Sequence, residues 1–577
     1  MEEKILFSGN EAIARGAMES GVGVATAYPG TPSTEILEYI AANSKEIHAQ
    51  WSVNEKVALE TAVGASYSGL RAICSMKHVG VNVAADPLIT LAYTGVKGGL
   101  LIVAADDPGM HSSQNEQDTR YYSSFAKILC LEPHNSQEAR NMTFEAFRIS
   151  EETGLPVMLR TLTRVAHTSS PVALGVIRKA KKPHLDIKPR EWVMIPAHAR
   201  VRHRILNDKQ KELLAISENS KFNKVVDGDG EVGVVACGSA FNYVMEFHDN
   251  DFPVLKISTY PLPIKLIRKF LKDKEKIIVF EEGEPFVEDI IRCNHGLVVG
   301  RRSGDIPLTG ELTPEVVSGV LGKKKMGVRE ADMRLPARPP VMCPGCPHRS
   351  LYVALKKAKP TVVAGDIGCY TLGVQPPLGV LNTCLCMGAG IGQAAGMSHS
   401  GIDGVAAVIG ESTFLHSGIT SLMNAVYNKA DILVIVLDNS TVAMTGHQPN
   451  PATGVTARGD KTRKISIEDV CRSCGVDSVT VVDPYDIRNS GEVIQDKISS
   501  PGVNVIVSRR PCVILKGVSR GTPYMVDPGE CRGCGKCFEV GCPAISLDEK
   551  AQINADLCRG CGTCAAVCPF GAIKLRK

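Results

Sequence analysis

The chain has 577 residues, of which 44% are hydrophobic and 22% charged, with a formal net charge of +4. That length suffices for three or four domains with well-buried cores, and so even a charge balance gives no electrostatic footprint for nucleic acid or an anionic membrane surface. The opening "MEEKILFSGNEAIARG" lacks a basic-then-apolar leader and no uninterrupted apolar run reaches a bilayer span, so the sequence reads as a soluble cytoplasmic protein with no nucleic-acid or membrane partner.

Short, β-branched, unalternating apolar runs recur at 99–107, 231–239, 276–283, 404–412, 431–439 and 502–515. Strands buried on both faces of a parallel sheet read this way, and helical patterns lie between them. The fold class is therefore α/β, with parallel-sheet domains repeated more than once. Two stretches lack sustained periodicity and read as linkers: the basic, Pro-containing 178–205 and the segment 323–342. Cuts near 170–200, 330 and 525 give domains at 1–180, 200–325, 340–522 and 523–577.

In the first segment "YPGTPST" (28–34) ends a strand and opens a helix, with Pro32 and Ser33 as start signals. In "WSVNEKVALETAVGASYSG" (51–69), Glu55 precedes an Ala/Gly-rich helix; Glu60 lies inside that helix and reads as structural. "HSSQNEQDTR" (111–120) reads as a loop. The segment 200–325 carries α/β patterning without a reactive constellation.

In the third segment "CPGCPHR" (343–349), "GDIGCYTLG" (365–373) and "MGAGIGQAAG" (387–396) follow one another. Gly388, Gly390 and Gly392 lack the G-x-G-x-x-G spacing of a dinucleotide fingerprint, and a helix start beside a phosphate is the better reading. Further on, Glu411 closes the strand "GVAAVIG" and Asn439 ends "DILVIVLDN". At the carboxyl ends of parallel strands the two would converge on the sheet edge where ligands of open α/β sheets bind. A carboxylate, an amide and a backbone carbonyl are oxygen donors of the kind Mg2+ takes, leaving positions for a diphosphate. The plain rival is an acidic strand end and a turn Asn.

Eight of the twenty cysteines fall in "CRGCGKCFEVGCP" and "CRGCGTCAAVCP" at the end of the chain. A C-x2-C-x2-C run closed by Cys-Pro is how bacterial-type ferredoxins hold a pair of [4Fe-4S] clusters, the fourth cysteine of each run ligating the other cluster. One set is then Cys531, Cys534, Cys537 and Cys568, the other Cys558, Cys561, Cys564 and Cys542. A segment this small is held together by its clusters. The remaining cysteines read mainly as small buried side chains in a reducing compartment.

The Gly410-Glu411-Ser412…Asn439 pattern resembles the thiamine diphosphate motif, in which Gly-Asp-Gly is followed some thirty residues later by Asn; Glu411 stands where Asp is usual. "DNSTVAMTGHQPNP" (438–451) resembles the Asn-x-x-x-x-Met-Thr-Gly-x-Gln segment of the 2-oxoacid:ferredoxin oxidoreductases, which wraps the diphosphate. The resemblance implies Thr441, Thr445, Gly388 and Gly390 as cofactor contacts, with Glu411 and Asn439 on Mg2+. "YPGTPST" resembles the family segment whose first Thr faces the substrate carboxylate, so Thr31 is carried over. Glu55 matches the glutamate that protonates the pyrimidine so that the C2 proton can leave.

Together these motifs resemble the alpha subunit of the indolepyruvate:ferredoxin oxidoreductases. The resemblance implies two doubly wound thiamine-binding domains (pyrimidine type at 1–180, diphosphate type at 340–522), a transketolase C-terminal-like domain at 200–325 and a ferredoxin-like tail. It implies oxidative decarboxylation of aryl 2-oxoacids (indolepyruvate, phenylpyruvate, hydroxyphenylpyruvate) through a thiamine ylid, with CoA taking the acyl group and ferredoxin the electrons. A separate beta subunit supplying a gamma-type domain, in a heterodimer or its dimer, is implied too. Cys343, Cys346, Cys369 and Cys512 match a third cluster close to the thiamine; a zinc site completed by Cys471 and Cys474, or plain buried thiols, are the rivals. Cys384 and Cys386 read as pocket-lining, His416 as structural or substrate-facing, and His111 and Arg120 as ordinary loop residues near the substrate. Pyruvate, branched-chain or 2-oxoglutarate chemistry, or a non-catalytic electron-transfer subunit, are the alternatives.

Overall fold

A computed structural model describes residues 4–323 and 339–576. The boundary near 330 and most of the 323–342 stretch lie outside the described residues. The chain forms two compact units, Met1–Asp332 and Met333–Lys577.

The first unit is built on a seven-stranded sheet in the order Thr259–Tyr260, Leu129–Leu131, Val157–Leu162, Leu100–Asp106, Arg71–Lys77, Val22–Ala27 and His48–Trp51. Its pairs are parallel except at the Thr259–Tyr260 edge. Every residue of the Leu100–Asp106 and Val157–Leu162 strands is buried, as strands covered on both faces require. A second, five-stranded sheet runs Val298–Val299, Lys276–Phe280, Val232–Cys237, Val254–Ile257 and Lys224–Val226, antiparallel only at the last pair. The segment 200–325 thus has its own sheet, yet it also lends Thr259–Tyr260 to the first one.

The linker expected at 178–205 is irregular only in part. Pro196 opens a 23-residue helix, Pro196–Glu218, in which only Leu206, Leu213 and Ser217 are buried. It is strapped to the first sheet's helices by contacts that carry no hydrophobic period: Arg202 donates to the Tyr93 carbonyl (2.7 Å) and His203 stacks on Tyr93, while just before the helix Trp192 stacks on Tyr67. That is why periodicity missed it.

The second unit holds a five-stranded parallel sheet, Val362–Ala364, Val405–Gly410, Ile432–Asp438, Val503–Arg509 and Ser478–Val482. Successive strand residues feed opposite faces. Ala406, Val408, Leu433 and Ile435 join the core under the Pro347–Ala358 helix, while Ala407, Ile409, Val434 and Val436 join that under Gly390–His399. The Cys-rich tail has two antiparallel pairs, Tyr524–Val526 with Ile573–Leu575 and Ile545–Leu547 with Ala551–Ile553. Its small core contains Cys537 and Cys564 among few apolar residues. Arg349 fastens this tail to the sheet domain, reaching the carbonyls of Val540 and Gly541 on one side and of Met342 and Cys343 on the other.

Candidate active site

At the carboxyl edge of the second unit's sheet, Glu411 starts the short helix after Val405–Gly410, and Asn439 follows Ile432–Asp438. The two strands are paired, Gly410 opposite Leu437, so these side chains are neighbours. The Thr441 N–H donates both to Glu411 Oε1 (3.0 Å) and to Asn439 Oδ1 (3.2 Å), which brings the two oxygens together. Asn450 donates to Glu411 Oε1 as well (3.3 Å). Burial, reinforced by Asp438, pushes the Glu411 carboxyl up to about 8. A buried carboxylate with only neutral partners, beside an amide oxygen, is a donor set that fits a divalent cation. Within the loop Thr445 donates to Gln448 Oε1 (2.5 Å) and Gln448 returns a bond to the Thr445 carbonyl (2.8 Å). The Thr445 hydroxyl here shapes the loop.

Gly388 and Gly390 stand at the start of the Gly390–His399 helix, but their N–H groups are taken. Asp366 accepts both, at 2.8 and 3.2 Å, and burial lifts its carboxyl to about 6. These glycines would therefore shape a phosphate cradle more than donate to it. Asp366 was invisible to motif reasoning, because its partners lie over twenty residues away.

The four cysteines at 343, 346, 369 and 512 gather beside this edge. Burial raises the Cys369 thiol to about 11, with Cys512 and Cys343 adding as like-charge neighbours and Glu411 contributing too. Burial lifts Cys346 to about 12, with Cys369 as a further neighbour. Two links tie this group to the Glu411–Asn439 pair. The Cys512 N–H donates to the Asn439 carbonyl (2.9 Å), and Asn439 Nδ2 meets His348 Nε2 at 3.3 Å, two residues from Cys346. Burial depresses His348 to about 4, so the neutral ring accepts from the amide and turns Asn439 Oδ1 toward Glu411. Cys471 belongs to the core on the opposite face of the sheet from Cys346, so the zinc set drawn from both pairs is not assembled. Cys384 and Cys386 are exposed near Asp366. His416 is buried, 3.1 Å from Ser417 Oγ.

In the tail the cysteines fall into the two exchanged sets. Cys531, Cys534, Cys537 and Cys568 line one small cavity. Cys564, raised to about 12 by burial, has Cys561, Cys542 and Cys558 as the neighbours that act on it. Among the described residues no three His, Cys, Asp or Glu side chains close on a single ion. Tyr485 lies between the second tail set and the proximal one: its hydroxyl donates to the Gly345 carbonyl (2.5 Å), and both Cys561 and Cys346 act on it.

In the first unit Glu55 is the first residue of the Glu55–Tyr67 helix, capped by Asn54 through the Val57 N–H (2.8 Å), and is 6% exposed. Its side chain lies flat against Gly80, where a Cβ would stand 2.6 Å from Glu55 Cγ. Glu60 is exposed and paired with Lys56. Thr31 sits in the loop after Val22–Ala27. Ser33 does not cap the following helix; its hydroxyl donates to the Gly30 carbonyl (2.9 Å) instead. His111 pairs with Glu311 (2.8 Å). Arg120 is fully buried between Asp118 and Glu281, in a network where Arg160 meets Asp106 and Glu132. It is a structural ion of the interior, not a loop residue.

Comparison with known proteins follows the same division. The family described as pyruvate flavodoxin/ferredoxin oxidoreductase, thiamine diphosphate-binding, matches residues 15–204; thiamine pyrophosphate enzyme, C-terminal TPP binding domain, matches 366–508; and 4Fe-4S binding domain matches 551–574. The chain is 42% identical to indolepyruvate oxidoreductase subunit IorA of Archaeoglobus fulgidus, over 100% of this chain and 98% of that one. The proteins of the same name from Methanothermobacter marburgensis and Pyrococcus abyssi are each 42% identical, over 99% of this chain and 97% of theirs.

Proposed function

The chain belongs to the family of indolepyruvate oxidoreductase subunit IorA, thiamine diphosphate-dependent 2-oxoacid:ferredoxin oxidoreductases, and on that premise we propose that it oxidatively decarboxylates aryl 2-oxoacids such as indolepyruvate, phenylpyruvate and hydroxyphenylpyruvate. CoA takes the acyl group and ferredoxin the electrons. Bound thiamine diphosphate supplies the nucleophilic carbon and the electron sink for loss of CO2.

Each residue then has a task. Glu55, buried at a helix start, holds a proton at the pyrimidine nitrogen. Thr31 orients the substrate carboxylate. Glu411 and Asn439 hold Mg2+, and the Thr441–Gln448 loop closes over the diphosphate. Cys343, Cys346, Cys369 and Cys512 hold a cluster beside the cofactor; the two tail sets hold two more, with Tyr485 between the proximal and the nearer tail set. One-electron carriers in series suit a two-electron oxidation delivered to ferredoxin. A beta subunit contributes the remaining gamma-type domain, and CoA binds the assembled pair.

The observation that supports this reading most is the backbone hydrogen bond from the Cys512 N–H to the Asn439 carbonyl, 2.9 Å, which sets one of the four gathered cysteines beside the residue proposed to hold the metal. The test is anaerobic, CoA-dependent viologen reduction by the chain co-expressed with its beta partner. Indolepyruvate and phenylpyruvate are expected to support turnover that is lost in Glu55→Gln. Turnover with pyruvate or 2-oxoglutarate alone would overturn the aryl assignment.

A further inference from the structure

Lys77 is the last residue of the Arg71–Lys77 strand, at the carboxyl edge of the first unit's sheet. The strand beside it ends at Ala27 and runs straight into the Tyr28–Thr34 loop, so Lys77 flanks Thr31; its Cβ lies 3.2 Å from where a Cβ on Gly30 would stand. On the other side, the strand ending at Asp106 leads into the segment that roofs the ammonium. Lys77 Nζ donates to the Ser112 carbonyl (2.6 Å) and to Ser112 Oγ (3.3 Å), and that hydroxyl in turn lies within donating distance of both the Thr31 carbonyl (3.3 Å) and Asp107 Oδ2 (3.3 Å).

The charge of Lys77 is not neutralised by its hydrogen-bond partners, which are neutral oxygens. The carboxylate that acts on it, Asp107, spends its own oxygens on the Ser112 N–H (2.8 Å), Ser113 Oγ (2.5 Å) and Thr163 Oγ1 (2.7 Å). The side chain is only 8% exposed. A largely buried ammonium without a carboxylate partner costs stability unless an anion arrives. The roof above it is thin, since His111, Ser112, Gln114 and Asn115 are all exposed.

We propose that the Lys77 ammonium is the cationic half of the substrate-carboxylate subsite, receiving the 2-oxoacid carboxylate beside Thr31 when the Ser112 contacts give way. This rests on the 2-oxoacid reading above and adds the charge that a lone threonine hydroxyl cannot supply.

The test separates charge from shape. Phenylacetate and its neutral isostere phenylacetamide are titrated calorimetrically against the thiamine-loaded complex, in wild type, Lys77→Met and Lys77→Arg. A charge-assisted hydrogen bond is worth about 10- to 100-fold in affinity. Lys77→Met should lose that factor for the acid and leave the amide unchanged, while Lys77→Arg recovers part of it. In turnover the same variant should raise KM for the 2-oxoacid more than it lowers kcat. An unchanged acid-to-amide ratio, or equal loss of both ligands, would overturn the assignment and leave Lys77 as a loop fastener. Failure of the 2-oxoacid reading looks different: the wild type would turn over no 2-oxoacid, whatever the calorimetry of the acid and amide showed.

Discussion

Around Arg120 and Arg160 each guanidinium meets at least two carboxylates, whereas Lys77, two strands from Arg160 in the same sheet, hydrogen-bonds only to the neutral oxygens of Ser112. Both sites bury charge in the first unit, but only one bonds directly to its counter-ions; the carboxylate nearest Lys77, Asp107, acts on it without a bond between them. A buried ion paired within the fold becomes part of the fold, because removing either partner strands the other in low dielectric. A buried ion left with neutral partners contributes little to stability and is available to a ligand. Glu411 in the second unit is the acidic counterpart, bonded to the Thr441 N–H and the Asn450 amide.

The largest effect should come from breaking the paired network. Arg160→Met strands Asp106 and Glu132, both fully buried, and is expected to cost about 3–5 kcal/mol. Calorimetry should show the first unit's unfolding transition falling by roughly 5 °C. Lys77→Met, compared in the same experiment without ligand, should leave that transition unchanged or slightly raised. Equal destabilisation by the two would erase the distinction.

Next comes Glu411→Gln. If Glu411 holds the metal as proposed, exchanging its carboxylate for an amide should weaken cofactor retention by about 10- to 100-fold, read as thiamine fluorescence recovered after desalting. The cofactor-free protein should melt no lower than wild type near neutral pH, since burial pushes the Glu411 carboxyl up to about 8 and the amide there replaces a group that is already mainly neutral. A lower melting point would place Glu411 with Arg160 among the structural ions.

How much of this was legible in the sequence follows from what each feature depends on. The cluster sets depend on local spacing, and the structure gathers Cys531, Cys534, Cys537 and Cys568 around one cavity as that spacing implies. Glu411 and Asn439 lie at the ends of adjacent parallel strands, which two recognisable apolar runs announced. Lys77 was not legible, because its proximity to Thr31 depends on which strands pair, and no local pattern encodes that order. The same holds for Asp366, whose partners Gly388 and Gly390 come from another element. Arg120 misled for a related reason: in sequence it ends a polar loop, and only the three-dimensional meeting of Asp118 and Glu281 reveals an interior ion.

Gly80→Ala sharpens the comparison at a neutral position. The glycine lies in the helix His78–Val83, where alanine favours the backbone by about 1 kcal/mol. Yet the added Cβ would stand 2.7 Å from Glu55 Oε1, so the carboxylate must move. Stability should hold while viologen reduction falls about tenfold or more, as expected for a small displacement of a reacting group. Full activity would mean that turnover does not depend on where the Glu55 carboxylate stands, against the proton-holding role proposed for it.

The smallest effect is the pH dependence of Lys77 itself. Burial lowers its ammonium from the ordinary 10.5 to about 8, with Asp107, the charged group facing it, opposing the shift. Between those values the unfolded chain holds a proton that the folded chain has released, so folding stability should rise with pH across that window, by at most about 1.4 kcal/mol per pH unit. Carboxylate binding runs the other way: it needs the ammonium, is fully present below pH 8, and weakens toward tenfold per unit above it. Lys77→Met should abolish both slopes, seen in denaturation midpoints and in phenylacetate affinity from pH 7 to 10. Opposite slopes for stability and binding, lost together in one variant, are what a ligand-directed charge produces and a fold-directed one does not.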